Sequence, residues 1–189
     1  VLDDEGKNLI LRKIAGDIEP ELLVLKGNMK RLGYISEVKS VLSEFDQYDI
    51  GEEEMDEMLD HLDEDSRLYY KLKDIRLLYE GFQDYLRERY ITKEELLDVL
   101  NSQVKESELL KNSVVVLDGF TGFTPVQMKL LHRCMHVVKD MYVTVTLDVR
   151  EDPLADCGMQ DLFYMSRKMT AALLRAAREE QFPLEDAVF

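Results

Sequence analysis

Ser113-Val-Val-Val-Leu-Asp-Gly-Phe-Thr-Gly-Phe-Thr-Pro-Val-Gln127 carries four consecutive apolar residues, three of them β-branched, into an aspartate and a glycine-rich turn that Pro125 closes. The apolar run predicts a buried parallel strand that ends at a ligand-side loop. Pro125, with φ preset for a first helical turn, and Thr124 before it as N-cap open an amphipathic helix carrying Met128, Leu131, Met135 and Val138. A second strand, Met141-Tyr-Val-Thr-Val-Thr-Leu-Asp148, follows at once. Strand, helix and strand in this succession form a βαβ unit. Residues 114–118 and 142–147 are therefore expected to lie parallel in one sheet, with Asp118 and Asp148 at the same edge.

Open α/β sheets bind ligands outside the carboxyl ends of their strands, so Asp118 is a candidate site position. In nucleotide hydrolases of this architecture such an aspartate holds Mg²⁺, and a neighbouring acid or glutamine orients the attacking water. The next residue here is Gly119, so the second carboxylate is missing.

Composition bounds what surrounds this unit. With 46% hydrophobic and 33% charged residues, the 189-residue chain is globular rather than disordered and can bury one good core or two small ones. Its net charge is −15, and the balance is uneven: 28 acidic and 16 basic side chains up to Lys111, 11 and 8 after it. Nucleic-acid-binding modules usually carry a basic footprint, so any DNA contact must be local or made elsewhere. Cys134 and Cys157 form no CxxC motif and no secretory signal precedes them, which reads as a pair of free cytosolic thiols. No stretch approaches the roughly 20 apolar residues of a membrane span. The start at Val1 and the loop-like end predict a piece of a longer protein.

From Asp4 to about Asn112 the periodicity is helical. Leu9, Ile10, Lys13 and Ile14 predict a first helix capped at Asp3 or Asp4; Glu21 to Leu32, behind Pro20 and stopped by Gly33, a second; Ile35 to Phe45, with Ser36 as cap, a third. Glu44 to Asp65 holds twelve acids and no Lys or Arg. Asp46, Gly51 and Glu57 stand at positions 1, 6 and 12 of a calcium-binding loop, but Tyr48 and Ile50 fall where oxygen ligands are needed. The plainer expectation is a turn at Gly51, then a short helix burying Met55, Met58, Leu59 and Leu62. Ser66 opens the longest helix, whose seam is Leu68, Leu72, Ile75, Tyr79, Phe82 and Leu86. Thr92-Lys-Glu-Glu95 is a capping box for one more helix, to about Val104.

Val116-Leu-Asp-Gly-Phe-Thr-Gly-Phe-Thr-Pro-Val-Gln127 closely resembles the "DGFxxFTP-x-(Q/E)" signature of the B subunit of bacterial AddAB (RexAB)-type ATP-dependent helicase–nucleases. Tyr70-Lys-Leu-Lys-Asp-Ile-Arg-Leu-Leu-Tyr79 is similar to the "KLxDIxxLY" stretch of the same subunits. The resemblance implies a helix-rich α/β fold: a helical subdomain of the 1B type over residues 1–112, then part of a RecA-like parallel-sheet domain, a βαβ unit plus a C-terminal helix, over 113–189. In active superfamily 1 helicases the equivalent motif reads Asp-Glu-x-x-Asp-x-x-x-x-Gln. On that alignment Asp118 and Gln127 keep their places, Gly119 replaces the catalytic Glu, and Phe123 falls near the second Asp. After the second strand, Asp148 is kept but the Gly and Gln of the helicase pattern are lost. The resemblance thus implies a degenerate, non-motor module that scaffolds and scans DNA within a complex processing double-strand breaks for recombinational repair. It implies ATP and Mg²⁺ in the parent complex but no cofactor in this region, an A subunit and DNA as partners, no membrane, and a cytoplasmic location. The phosphate loop would lie before Val1 and the nuclease domain after Phe189.

Other candidates have plainer explanations. His132 and His136 stand four apart on the crossover helix and could share a metal, but they lack the glutamate of HExxH, so a solvent-facing or core pair is the simpler account. Lys26, Lys30, Arg31 and Lys39 are the nearest thing to a basic patch for phosphate, and a solvated helix face explains them equally well. No Gly-x-x-x-x-Gly-Lys-(Ser/Thr) occurs. The alternatives are a working superfamily 1 helicase core whose phosphate loop lies upstream, and an unrelated helical interaction module containing a small βαβ unit.

Overall fold

The structure is a computed structural model that describes every residue except Glu88, Val149, Glu151, Pro153, Asp156 and Phe189, and except the side chain of Glu94. The chain divides into two compact units, Val1–Val99 and Leu100–Phe189.

In the first unit α1 (Asp4–Asp17) begins where the Asp3 carboxylate accepts the Gly6 N–H at 2.7 Å, and it buries Ile10, Leu11, Ile14 and Ala15. With α2 (Leu32–Tyr48), α3 (Glu52–Asp60) and α4 (Arg67–Leu86) it encloses one continuous core. The seam of α4 buries Leu72, Ile75, Tyr79, Phe82 and Leu86 as the spacing predicts, and Leu78 with them, whereas Leu68 is exposed. Ser66 caps this helix by accepting the Tyr69 N–H.

The helix expected from Glu21 to Leu32 does not form. Residues 18–31 are turns and bends that still bury Leu22, Leu25 and Met29. The cause lies on α4: the buried carboxylate of Asp74 accepts the N–H groups of Leu23, Val24 and Leu25 at 2.7–3.1 Å. Three amides converging on one anion give this segment's backbone a partner outside itself, which a helix would have to forfeit. Gly33 accordingly stops nothing; it sits in the first turn of α2.

The acidic interval forms the expected turn and short helix, with the Gly51 N–H donated to the Glu54 carboxylate at 2.9 Å. Met55 is buried; Met58 is exposed, contrary to the spacing argument, and Leu59 and Leu62 are half-buried. Several of these acids are paired rather than merely solvated. Arg76 on α4 donates to both oxygens of Asp56 and lies near Glu52 and Glu80, and the hydrogen bond to Asp56 holds its guanidinium pKa above the ordinary value.

The Thr92–Glu95 capping box is made in both directions, Thr92 N–H to Glu95 at 2.7 Å and Glu95 N–H to Thr92 Oγ1 at 3.1 Å, and opens α5 (Lys93–Gln103). The second unit continues through a 3₁₀ turn (Val104–Glu106), α6 (Glu108–Lys111), β1 (Val114–Leu117), α7 (Pro125–Met135), β2 (Asp140–Val143) and α8 (Tyr164–Glu179). β1 and β2 pair in parallel, from Val114 opposite Asp140 to Leu117 opposite Val143, and the Thr144 N–H reaches the Leu117 carbonyl at 2.9 Å. The second strand is shorter and earlier than the expected 142–147. Among the described residues β2 pairs with β1 alone, and β1 ends where Gly119 turns at φ 76°.

The expectation of a buried strand fails on one face. Leu117, Val143 and Val145 pack with Phe123, Met128, Leu131 and Met135 of the α7 region and with Met169 and Leu173 of α8, while Val114, Val116 and Tyr142 are 50%, 61% and 52% exposed. Among the described residues no helix is long and apolar enough to cross a membrane.

Candidate functional site

The carboxyl end of β1 is built by its turn and by the cap of the next helix. Thr124 Oγ1 accepts the Gln127 N–H at 3.4 Å, and Gln127 Oε1 accepts the Thr124 N–H at 2.9 Å, with Pro125 in the first helical turn. This reciprocal pair satisfies two donors at the start of α7, the Thr124 and Gln127 N–H groups, and fixes the chain where the loop from Gly119 to Phe123 ends. Phe120 and Phe123 pack ring to ring at 5.0 Å within that loop, and Phe123 reaches the core.

Asp118 is exposed at the end of β1 and accepts a short hydrogen bond from the Thr144 hydroxyl, one residue beyond β2. That bond ties the loop after β1 to the loop after β2. Gly119 adopts φ 76°, in the left-handed region that glycine enters without penalty, and a Cβ there would meet no atom within 4 Å. Backbone conformation, not lack of room, disfavours any side chain at this position, a glutamate included. Gln127, the other position that the helicase resemblance singles out, uses its amide oxygen in the helix cap. The sequence held the Thr-x-x-Gln spacing that announces this box, beside the Thr124 cap it did reveal.

Asp148 accepts from the Arg150 N–H at 3.0 Å and from its guanidinium at 2.9 and 2.5 Å. The Arg150 side chain, and after it the backbone amide, hold the Asp148 carboxyl below the usual range. Of residues 146–153, Val149, Glu151 and Pro153 lie outside the described residues.

The remaining candidates fall as follows. Lys26 donates to the Pro20 carbonyl at 3.3 Å, Lys30 pairs with Glu19 at 3.1 Å and Lys39 with Asp4 at 3.3 Å, while Arg31 is the N-cap residue of α2. Lys39, first by hydrogen bonding and then by its charge, lowers the Asp4 pKa. Asp46 accepts from the Tyr79 hydroxyl and from Gln83; burial, and then this carboxylate, push the Tyr79 phenol far up. Cys134 and Cys157 are free thiols, and burial raises the pKa of Cys134. The spacing pairs His132 with His136 and gives no sign of Glu180, which the structure brings to both. Forty-four residues of separation between His136 and Glu180 leave no local signal for it.

The family model described as "ADDB, N-terminal" matches residues 1–189. The chain is 35% identical over 188 residues to the B subunit of the ATP-dependent helicase/deoxyribonuclease of Lachnoclostridium phytofermentans, a match that covers 100% of this chain and 16% of that protein. It is 33% identical over 167 residues to the protein of the same name from Alkaliphilus oremlandii, covering 88% of this chain and 14% of the relative. With the Bacillus anthracis protein of that name the identity is 29% over 194 residues, 99% of this chain and 16% of the relative. The chain thus spans about one sixth of the length of the curated relatives it matches.

Proposed function

This chain belongs to the ADDB, N-terminal family over its whole length, and from that premise we propose that it is a helicase-like region of the B subunit of an AddAB-type helicase–nuclease, one that scaffolds the complex and scans DNA without hydrolysing ATP. The relatives' name, B subunit of an ATP-dependent helicase/deoxyribonuclease, supports a setting with a partner subunit, and in this reading DNA ends are the substrate of the complex and ATP is hydrolysed, with its Mg²⁺, elsewhere in it.

The observation that carries the reading is the state of the motif after β1. A phosphoryl-transfer site needs one carboxylate free for Mg²⁺ and a second group free to orient water. Here Asp118 is bonded to Thr144, Gly119 stands in a left-handed turn where the acid belongs, and the Gln127 side chain closes a helix cap. Asp148 is occupied by Arg150. In this reading each retained motif residue does structural work in a RecA-like βαβ unit, and the helical unit is a 1B-type insertion. Lys26, Lys30, Arg31 and Lys39 are the cations it offers to a DNA strand. Three of them already meet protein oxygens, which leaves them a minor share of phosphate contact.

The test is Asp118→Asn in the assembled two-subunit complex. ATP turnover and DNA-end degradation are expected to stay within about threefold, roughly 0.7 kcal/mol. A hundredfold fall in DNA-dependent ATP hydrolysis, with assembly and folding intact, would mean that the motif is alive and that the chain is part of a working motor.

A further inference from the structure

His132 lies in the last turn of α7 and His136 is its C-cap residue, so the two imidazoles stand one turn apart on one face. Their Nε2 atoms lie 3.3 and 3.7 Å from the two oxygens of a single carboxylate, Glu180, the C-cap residue of α8. All three donor atoms fall within 4.8 Å of one another, and none of the three side chains is buried, so an ion can enter from water. Tetrahedral zinc with nitrogen and oxygen ligands at about 2.0–2.1 Å sets neighbouring donors roughly 3.3 Å apart. The 3.3 Å from His132 to one carboxylate oxygen already matches that, and rotation of these unburied side chains brings the remaining donors, all within 4.8 Å of one another, to it.

The backbone aims Glu180 at this point. The Phe182 N–H reaches the Ala177 carbonyl at 2.8 Å and the Gln181 N–H reaches Arg178 at 3.1 Å, the paired bonds of a Schellman motif. Gln181 takes the left-handed position at φ 58° that glycine normally fills, a conformation with a cost for a residue bearing a side chain. The same turn brings the Phe182 ring edge-on to His136 at 4.8 Å. Both helices present their negative, C-terminal ends here, which favours a cation.

We propose that His132, His136 and Glu180 bind one divalent transition ion of the zinc class, through two imidazole nitrogens and a carboxylate, with water completing the shell, so that the ion ties the end of α7 to the end of α8. Two imidazoles select against hard ions such as Mg²⁺ and Ca²⁺, so this site is separate from any nucleotide-linked Mg²⁺.

The experiment compares the intact, tag-free, chelator-stripped polypeptide with Glu180→Gln and with the His132→Ala/His136→Ala pair. Zn²⁺ is titrated in competition with a chromophoric chelator, and Co²⁺ is followed by its visible absorption. Wild type is expected to bind one equivalent more than either variant, with a Kd of about 1 µM or tighter. Glu180→Gln is expected to weaken that site at least about 100-fold, beyond the 10–100-fold typical of an outer partner, and to abolish the cobalt band. His61→Ala, which removes the third histidine, serves as control and should leave the equivalent intact. Glu180→Gln preserves shape at an exposed position, and unchanged far-UV circular dichroism verifies its fold. Equal zinc stoichiometry and affinity in wild type and Glu180→Gln, or no wild-type site tighter than about 10 µM, would overturn the proposal.

Discussion

Asp74 does most to shape the first unit at the level of one side chain. It is 2% exposed and takes three backbone N–H groups from residues about fifty positions earlier. A buried donor left without its acceptor costs about 1–3 kcal/mol, so Asp74→Ala is expected to lower unfolding stability by about 3–5 kcal/mol, read as a fall in urea midpoint. Asp74→Asn, which keeps one acceptor oxygen, should lose roughly half as much. A loss below about 1 kcal/mol would mean that the 18–31 segment holds its shape without the carboxylate. The same residue shows where the sequence stops being legible. Asp3, Ser66, Thr92 and Thr124 cap helices through partners three residues away, and each is readable from local spacing. Asp74 acts across the fold, so Glu21 to Leu32, with Pro20 before it and Gly33 after it, reads as a helix that tertiary hydrogen bonding then prevents. Glu180 was hidden from the candidate site for the same reason.

Between elements, the α1–α4 crossing turns on Gly81. A Cβ there would stand 2.8 Å from Cγ2 of Ile14, itself buried in the core. Alanine in mid-helix is worth up to about 1 kcal/mol over glycine, but overpacking a core costs about 1–3 kcal/mol. Gly81→Ala is therefore expected to destabilise by about 1 kcal/mol. In an Ile14→Ala background the obstructing methyl is gone, and the same change should become stabilising by several tenths of a kcal/mol. A double-mutant cycle by chemical denaturation checks this; a coupling near zero would show that the helices part without cost. The α4 seam was legible because period and burial agree along it, from Leu72 to Leu86. The burial of β1 was not: Val114 to Leu117 reads as a strand covered on both sides, and strand periodicity cannot tell a covered face from an uncovered one. What the pattern did carry was the parallel pairing, because Pro125 and Thr124 start a helix directly after the turn.

For the molecule as a whole, the open question is what a sheet with one bare face does in water. Parallel sheets are almost always covered on both sides, yet Val114, Val116 and Tyr142 are half or more exposed, with Val116 and Tyr142 opposite each other in the register. Against this apolar patch stands a net charge of −15, which keeps copies apart over roughly a Debye length. The chain by itself is therefore expected to bind a hydrophobic dye and, as salt is raised and its charge is screened, to self-associate. Replacing Val116 and Tyr142 together by threonine keeps β propensity and removes apolar surface, so dye fluorescence and salt-dependent association should both fall while far-UV circular dichroism holds. The sign of the salt effect separates this from charge-driven assembly: contacts between acidic and basic surfaces would weaken as salt rises, whereas a screened apolar face strengthens. A chain that stays monomeric by light scattering at high salt and high concentration, with little dye bound, would show that the exposed valines and tyrosine are tolerated by water as they stand, and that this face requires no cover.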